Sequence, residues 1–201
     1  LVPLVNPDGA DLAAGAIAPG SAEYRAAAQI AAGFPDVPFP SGWKANLSGV
    51  DLNLNYPARW EEARSIKAAK GFGRPAPRDY PGGRPLDQPE TAALAAYAAC
   101  IRPDLMLALH TQGRVIYPGP KAAAPEGSEA LAQALAAASG YEVEDVPAGS
   151  ANAGFKDWFL QRFRRPAFTV ECGLGENPLP QEQLPALCRE LFPLLVTALC
   201  W

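Results

Sequence analysis

The 201-residue chain contains a single histidine, and that scarcity limits its chemistry more than any abundance does. Histidine-based catalysis or metal binding has to use His110. No Gly-x-Ser-x-Gly elbow accompanies it, so a serine hydrolase triad has no recognisable nucleophile. No Gly-x-x-x-x-Gly-Lys-Ser/Thr loop occurs and no Gly-x-Gly-x-x-Gly follows a strand, which argues against nucleotide cofactors. The four cysteines, Cys100, Cys172, Cys188 and Cys200, lack Cys-x-x-Cys spacing and read as buried free thiols. Basic residues form no stripe and the net charge is −4, so a nucleic-acid partner is excluded. The one dense basic run, Arg162-Phe163-Arg164-Arg165, reads as a helix end that favours cations. No stretch is expected to reach membrane-spanning length. Leu1–Val5 is too short for a signal peptide and lacks its basic flank.

What is present suits one domain over residues 1–201, since 49% hydrophobic residues can bury a sizeable core. Short apolar runs alternate with Ala-rich helical stretches, which predicts an α/β layer fold. Leu1–Val5 is expected to be a buried strand ending in an Asn6-Pro7-Asp8-Gly9 turn. Helices are expected over Ser21–Ala32, from Pro89 to Ala99, from a Ser128 cap to Gly140, over Phe155–Phe163, and from Gln181 to Trp201 with an interruption or kink at Pro193. Val50–Asn55 alternates, which would place Asp51, Asn53 and Asn55 on one side of an extended segment. Residues 56–85 read as a long irregular loop. Asp104–His110 and Ala167–Glu171 read as buried strands, the first central and doubly covered, with Tyr141–Val146 nearer an edge.

Two of these strands end in an ionisable side chain, His110 and Glu171. Ligands in α/β sheets bind outside the carboxyl ends of strands, which makes both residues candidates. Each also has a plain reading, His110 as a hydrogen-bonded rim residue and Glu171 as a salt-bridge partner. A catalytic zinc needs three protein ligands and an open position, which one histidine cannot supply. Spacing alone therefore does not favour a metal.

Five segments in order resemble the zinc carboxypeptidase family typified by carboxypeptidase A. They are Val5-Asn6-Pro7-Asp8-Gly9, Gly49-Val50-Asp51-Leu52-Asn53, Pro89-Glu90-Thr91, Leu109-His110-Thr111-Gln112-Gly113 and Phe168-Thr169-Val170-Glu171-Cys172-Gly173. The stretch from Trp43 to Pro57 is most similar to the bacterial gamma-D-glutamyl diamino acid endopeptidase branch, which cuts peptidoglycan stem peptides. The resemblance implies a twisted mixed β-sheet with helices on both faces, here lacking its first elements. It implies that His110 is a zinc ligand and Glu171 the catalytic base acting on zinc-bound water. It also implies that Lys44 is the cation beside the developing oxyanion and Asn53 a substrate-binding residue. Leu54 stands where classical carboxypeptidases carry a carboxylate-gripping arginine, which puts carboxypeptidase-type end trimming in doubt.

The family's His-x-x-Glu motif, bearing two further zinc ligands, has no counterpart here. The chain opens on Leu1, and the expectation is that it forms the carboxyl-terminal two-thirds of a catalytic domain. On that reading Zn2+ belongs to the complete enzyme, with no tight binding and little activity in this chain alone. The expected partner is a peptidoglycan stem peptide, with a dimer through exposed sheet surface as a further expectation. A bacterial cell-wall or extracellular setting is favoured. Two other functions fit the residues: a peptide-binding module that has lost its metal, and a small-molecule metallo-deacylase.

Overall fold

The computed structural model describes residues 1–119, 124–146 and 152–201. The described chain falls into two compact units, residues 1–101 with 152–155, and residues 102–151 with 156–201.

The first unit is built from helices and loops. Helix α1 spans Pro7–Ala13 and begins where a turn was expected. Asn6 explains the difference, because its side-chain oxygen caps the helix by accepting the Gly9 N–H at 3.1 Å. Pro7 occupies the first turn, where a missing N–H costs nothing. A Cβ at Gly9 would lie 2.3 Å from the Ala45 carbonyl oxygen, so this close approach requires glycine. Leu1–Val5 forms no strand and is exposed, since no neighbouring strand among the described residues pairs with it.

Helix α2 spans Ala22–Ala31 with Ser21 as its cap, as the sequence indicates. Residues 52–54 form a 3-10 turn instead of continuing an extended run, because Asp51 accepts the Asn53 N–H at 3.3 Å and tightens the chain. Helix α3, Trp60–Ala69, lies inside the stretch expected to be irregular. Its flanking Gly and Pro residues concealed a buried face of Trp60 and Ala63. Helix α4 spans Pro89–Ile101.

Buried polar side chains hold these pieces. Asn55 is fully buried and donates to Pro81 O, Arg84 O and Asp87 Oδ1 while accepting from Thr91 Oγ1 at 2.7 Å. Asn46 accepts the Ser48 and Val50 N–H groups and donates to Gln88 and Glu90. Pro89-Glu90-Thr91 is thus bound through Glu90 and Thr91 to the loop that carries Asn46 and Asn55.

The second unit contains a four-stranded mixed sheet in the order β1-β4-β2-β3, where β1 is Met106–His110, β2 Val115–Tyr117, β3 Glu142–Val143 and β4 Ala167–Glu171. β4 runs parallel to β1 and antiparallel to β2, and β3 runs parallel to β2. The expected α/β class and mixed sheet are therefore present, but the central strand is β4. β1 has one ladder partner among the described residues and leaves Leu109 47% exposed.

Helix α5, Ser128–Ser139, and helix α7, Leu184–Cys200, pack against one sheet face. Leu131 and Leu135 lie one turn apart on α5, and Leu187, Leu191, Leu194 and Leu195 recur at helical spacing on α7. They enclose Phe168 and Val170 of β4, both fully buried, and each large side chain removed from water there stabilises by about 1.5–3 kcal/mol. The cap position of α5 is Gly127 in the left-handed region, so Ser128 is the first helical residue and not the cap. Helix α6 spans Phe155–Phe163.

Two expectations need correction. Cys172 is buried, its thiol pushed up to about 12 first by burial and then by the Glu171 and Glu190 charges, but Cys100, Cys188 and Cys200 lie on outward faces of α4 and α7. In addition, Gln181–Cys200 is long and apolar enough by length and composition to cross a membrane, with a mean hydropathy of 1.3. Its charged residues visually interrupt the run but are outweighed on average. Here one of its faces packs into the core, and Glu190 accepts the Tyr141 hydroxyl at 2.8 Å.

Candidate active site

In the second unit the ladder fixes the relative placement of two candidates. His110 and Glu171 are register partners at the carboxyl ends of adjacent parallel strands, and the Cys172 N–H donates to the His110 carbonyl at 2.8 Å. Partnered Cα atoms on neighbouring strands lie about 4.8 Å apart, and side chains of partnered residues leave on the same face. Phe168, Val170 and Cys172 point into the core beneath α5 and α7. Strand alternation therefore sends Thr169 and Glu171 to the opposite face, with His110 beside Glu171. Both residues are partly exposed at that face.

The pairing continues across the sheet. Val115 of β2 lies opposite Glu171 and is also partnered with Glu142 of β3, while Tyr117 lies opposite Thr169. Glu171 and Tyr117 are thus diagonal neighbours on one face. Tyr117 was not singled out from the sequence, because a three-residue strand leaves too short an alternating signal.

In the first unit the structure brings Lys44 and Asn53 to one carboxylate. Asp51 is 1% exposed, and its Oδ2 pairs with Lys44 Nζ at 3.0 Å and accepts the Asp79 N–H at 3.1 Å. Its other oxygen accepts the Asn53 N–H, and the Asn53 side-chain oxygen accepts the Phe155 N–H at 3.4 Å. Asp51 holds the Lys44 ammonium above the ordinary lysine range, while partial burial opposes it. The Lys44 side chain as a whole remains 46% exposed. Asp51 organises both candidates, and the sequence signal for it was a lone carboxylate between Val50 and Leu52.

Among the described residues no group of three His, Cys, Asp or Glu side chains is placed to hold an ion. One imidazole with one neighbouring carboxylate does not meet the three-ligand requirement of catalytic zinc. The residues present therefore do not by themselves fit a zinc site.

A family model described as zinc carboxypeptidase matches residues 1–194. The chain belongs to that family. Among curated relatives, gamma-D-glutamyl-L-diamino acid endopeptidase 1 of Lysinibacillus sphaericus is 43% identical over 201 residues, covering 99% of this chain and 48% of the relative. The uncharacterized protein YqgT of Bacillus subtilis (strain 168) is 38% identical over 199 residues, covering 99% of this chain and 51% of the relative. This member of the family thus spans about half the length of the curated relatives it matches. Among solved structures, carboxypeptidase A from Helicoverpa armigera aligns with a TM-score of 0.59 at 18% identity, covering 74% of this chain and 40% of that one, which shows a shared fold.

Proposed function

We propose that the complete protein is a peptidase of bacterial cell-wall peptides that cuts gamma-D-glutamyl–diamino acid bonds. The observation carrying this reading is the in-register placement of His110 and Glu171 on one sheet face. Its substrate comes from the relative that is 43% identical across nearly the whole chain and is named for that bond.

Glu171 acts as general base. It takes a proton from the water that attacks the carbonyl carbon, and it returns that proton to the amine as the C–N bond breaks. His110 is assigned to the metal centre of the complete protein, to which this chain contributes one imidazole. Lys44, whose Nζ is positioned by Asp51 Oδ2, serves as the cation for the oxygen that gains negative charge. Asn53 binds substrate through its amide, oriented by Asp51 and the Phe155 backbone.

The test is hydrolysis of L-Ala-γ-D-Glu-L-Lys by the complete natural protein and its Glu171→Gln variant. Turnover should fall by about 10²–10⁴-fold in the variant, with unchanged circular dichroism and retained peptide binding. Undiminished turnover in Glu171→Gln would remove the proposed base. Binding without cleavage by the wild type would instead identify a peptide-binding module.

A further inference from the structure

On the face that carries His110 and Glu171, the neighbouring row of the sheet runs from Thr169 to Tyr117 and on towards Glu144. Thr169 and Tyr117 are register partners, and Glu144 follows β3 with its N–H donated to the Ile116 carbonyl at 3.2 Å. Val143 packs into the core under α5 and α7, so alternation turns Glu144 to the Tyr117 side. A diagonal pair across an antiparallel ladder, such as Glu171 and Tyr117, has Cα atoms about 7–8 Å apart, within reach of an aromatic side chain. Among the described residues the Tyr117 hydroxyl makes no hydrogen bond, although the ring is only partly exposed. Its proton is held more tightly than usual, first by burial and then by the Glu144 and Glu171 charges, which agrees with both carboxylates lying near the ring.

We propose that Tyr117 and Glu144 form the specificity-determining pair that receives the free ammonium group of the diamino acid next to the bond cut. This rests on the peptidase reading given above. A γ-D-glutamyl bond to a diamino acid consumes one amine and leaves the second as a cation. An aromatic face on β2 and a carboxylate just beyond the end of β3 match that cation through cation–π and charge-assisted hydrogen-bond contacts. Their placement one row from Glu171 puts the recognition beside the reacting centre. The same diamino acid without its second amine would leave Glu144 unmatched.

The experiment uses the complete natural protein with L-Ala-γ-D-Glu-L-Lys and its norleucine counterpart, which lacks the side-chain amine. The wild type is expected to favour the lysine peptide by about tenfold or more in kcat/KM, a difference of about 1.4 kcal/mol. Glu144→Gln should bring the two peptides to within about threefold, chiefly by raising KM for the lysine peptide, and leave norleucine cleavage nearly unchanged. Tyr117→Leu should erode the preference, and Tyr117→Phe, which keeps the ring face, should retain most of it. Equal cleavage of both peptides by the wild type, or an undiminished preference in Glu144→Gln, overturns the pair while leaving the peptidase intact. Cleavage of neither peptide overturns the peptidase reading and the pair with it.

Discussion

The two units achieve order by opposite means. In the first, Asn46, Asp51, Asn55 and Thr91 are buried polar side chains that tie loop carbonyls and amides together. In the second, a strand ladder carries apolar residues into a core beneath two helices, with Phe168 and Val170 fully buried. Directed bonds can hold irregular backbone in place, and each is costly to leave half-made. Apolar packing is non-directional, so it relies on periodic elements to aim its side chains. The candidate residues divide along the same line: Lys44 and Asn53 are set by a buried carboxylate, and His110 and Glu171 by register.

The sharpest way to break this comparison is to remove its apolar side. Phe168→Ala should destabilise by about 3–5 kcal/mol, read as a lower urea midpoint, because a fully buried ring leaves a cavity under α5 and α7. A loss below about 1 kcal/mol would mean that the second unit is not held by its core. The matching change in the first unit is Asn55→Ala, which deletes four hydrogen bonds of a buried side chain and leaves the Arg84 carbonyl without its donor, while Trp60 still bonds Pro81 O and Gln88 still bonds Thr91 and Asp87. It should cost about 2–4 kcal/mol and deprotect amides of the loop near residues 81–87 in hydrogen exchange. Deprotection spread evenly over the strands would contradict the division.

Acid supplies a smaller and more selective probe. Burial alone would raise the Asp79 carboxyl, but Lys67 and Arg78 outweigh it and hold the group below the ordinary range. Burial likewise opposes the lowering at Asp87, where Gln88, the Gly83 N–H and Asn55 prevail. A carboxylate with a depressed folded-state pKa contributes stability that is present above the unfolded value, about 3.9, and lost as pH falls through the folded one. Exchange protection should therefore decline first in the first unit as pH drops below about 4, ahead of the β1–β4 ladder. Simultaneous loss in both units would sink this expectation.

The same contrast governs how much could be read from the sequence. Helices with a cap or a Pro start, such as α2 after Ser21 and α4 at Pro89, announce their boundaries locally. β4 was legible because Ala-Phe-Thr-Val-Glu combines β-branched and aromatic residues with a carboxylate at the end. The first unit hid its organisation in side-chain bonds across 26–44 residues, as between Asn55 and Pro81 or Asn46 and Glu90, which no local pattern encodes. His110 and Glu171 could be picked out one at a time as strand ends. Their adjacency could not, because strand order is a property of the assembled sheet, and without it the face shared with Tyr117 is invisible too.

The His110–Glu171 spacing is written in main-chain hydrogen bonds and owes nothing to the identity of neighbouring side chains. Loops at the rim can therefore drift in sequence without detuning it. A slip of one residue between β1 and β4 would do what few substitutions could, because it would carry the imidazole through the sheet to the wrong side.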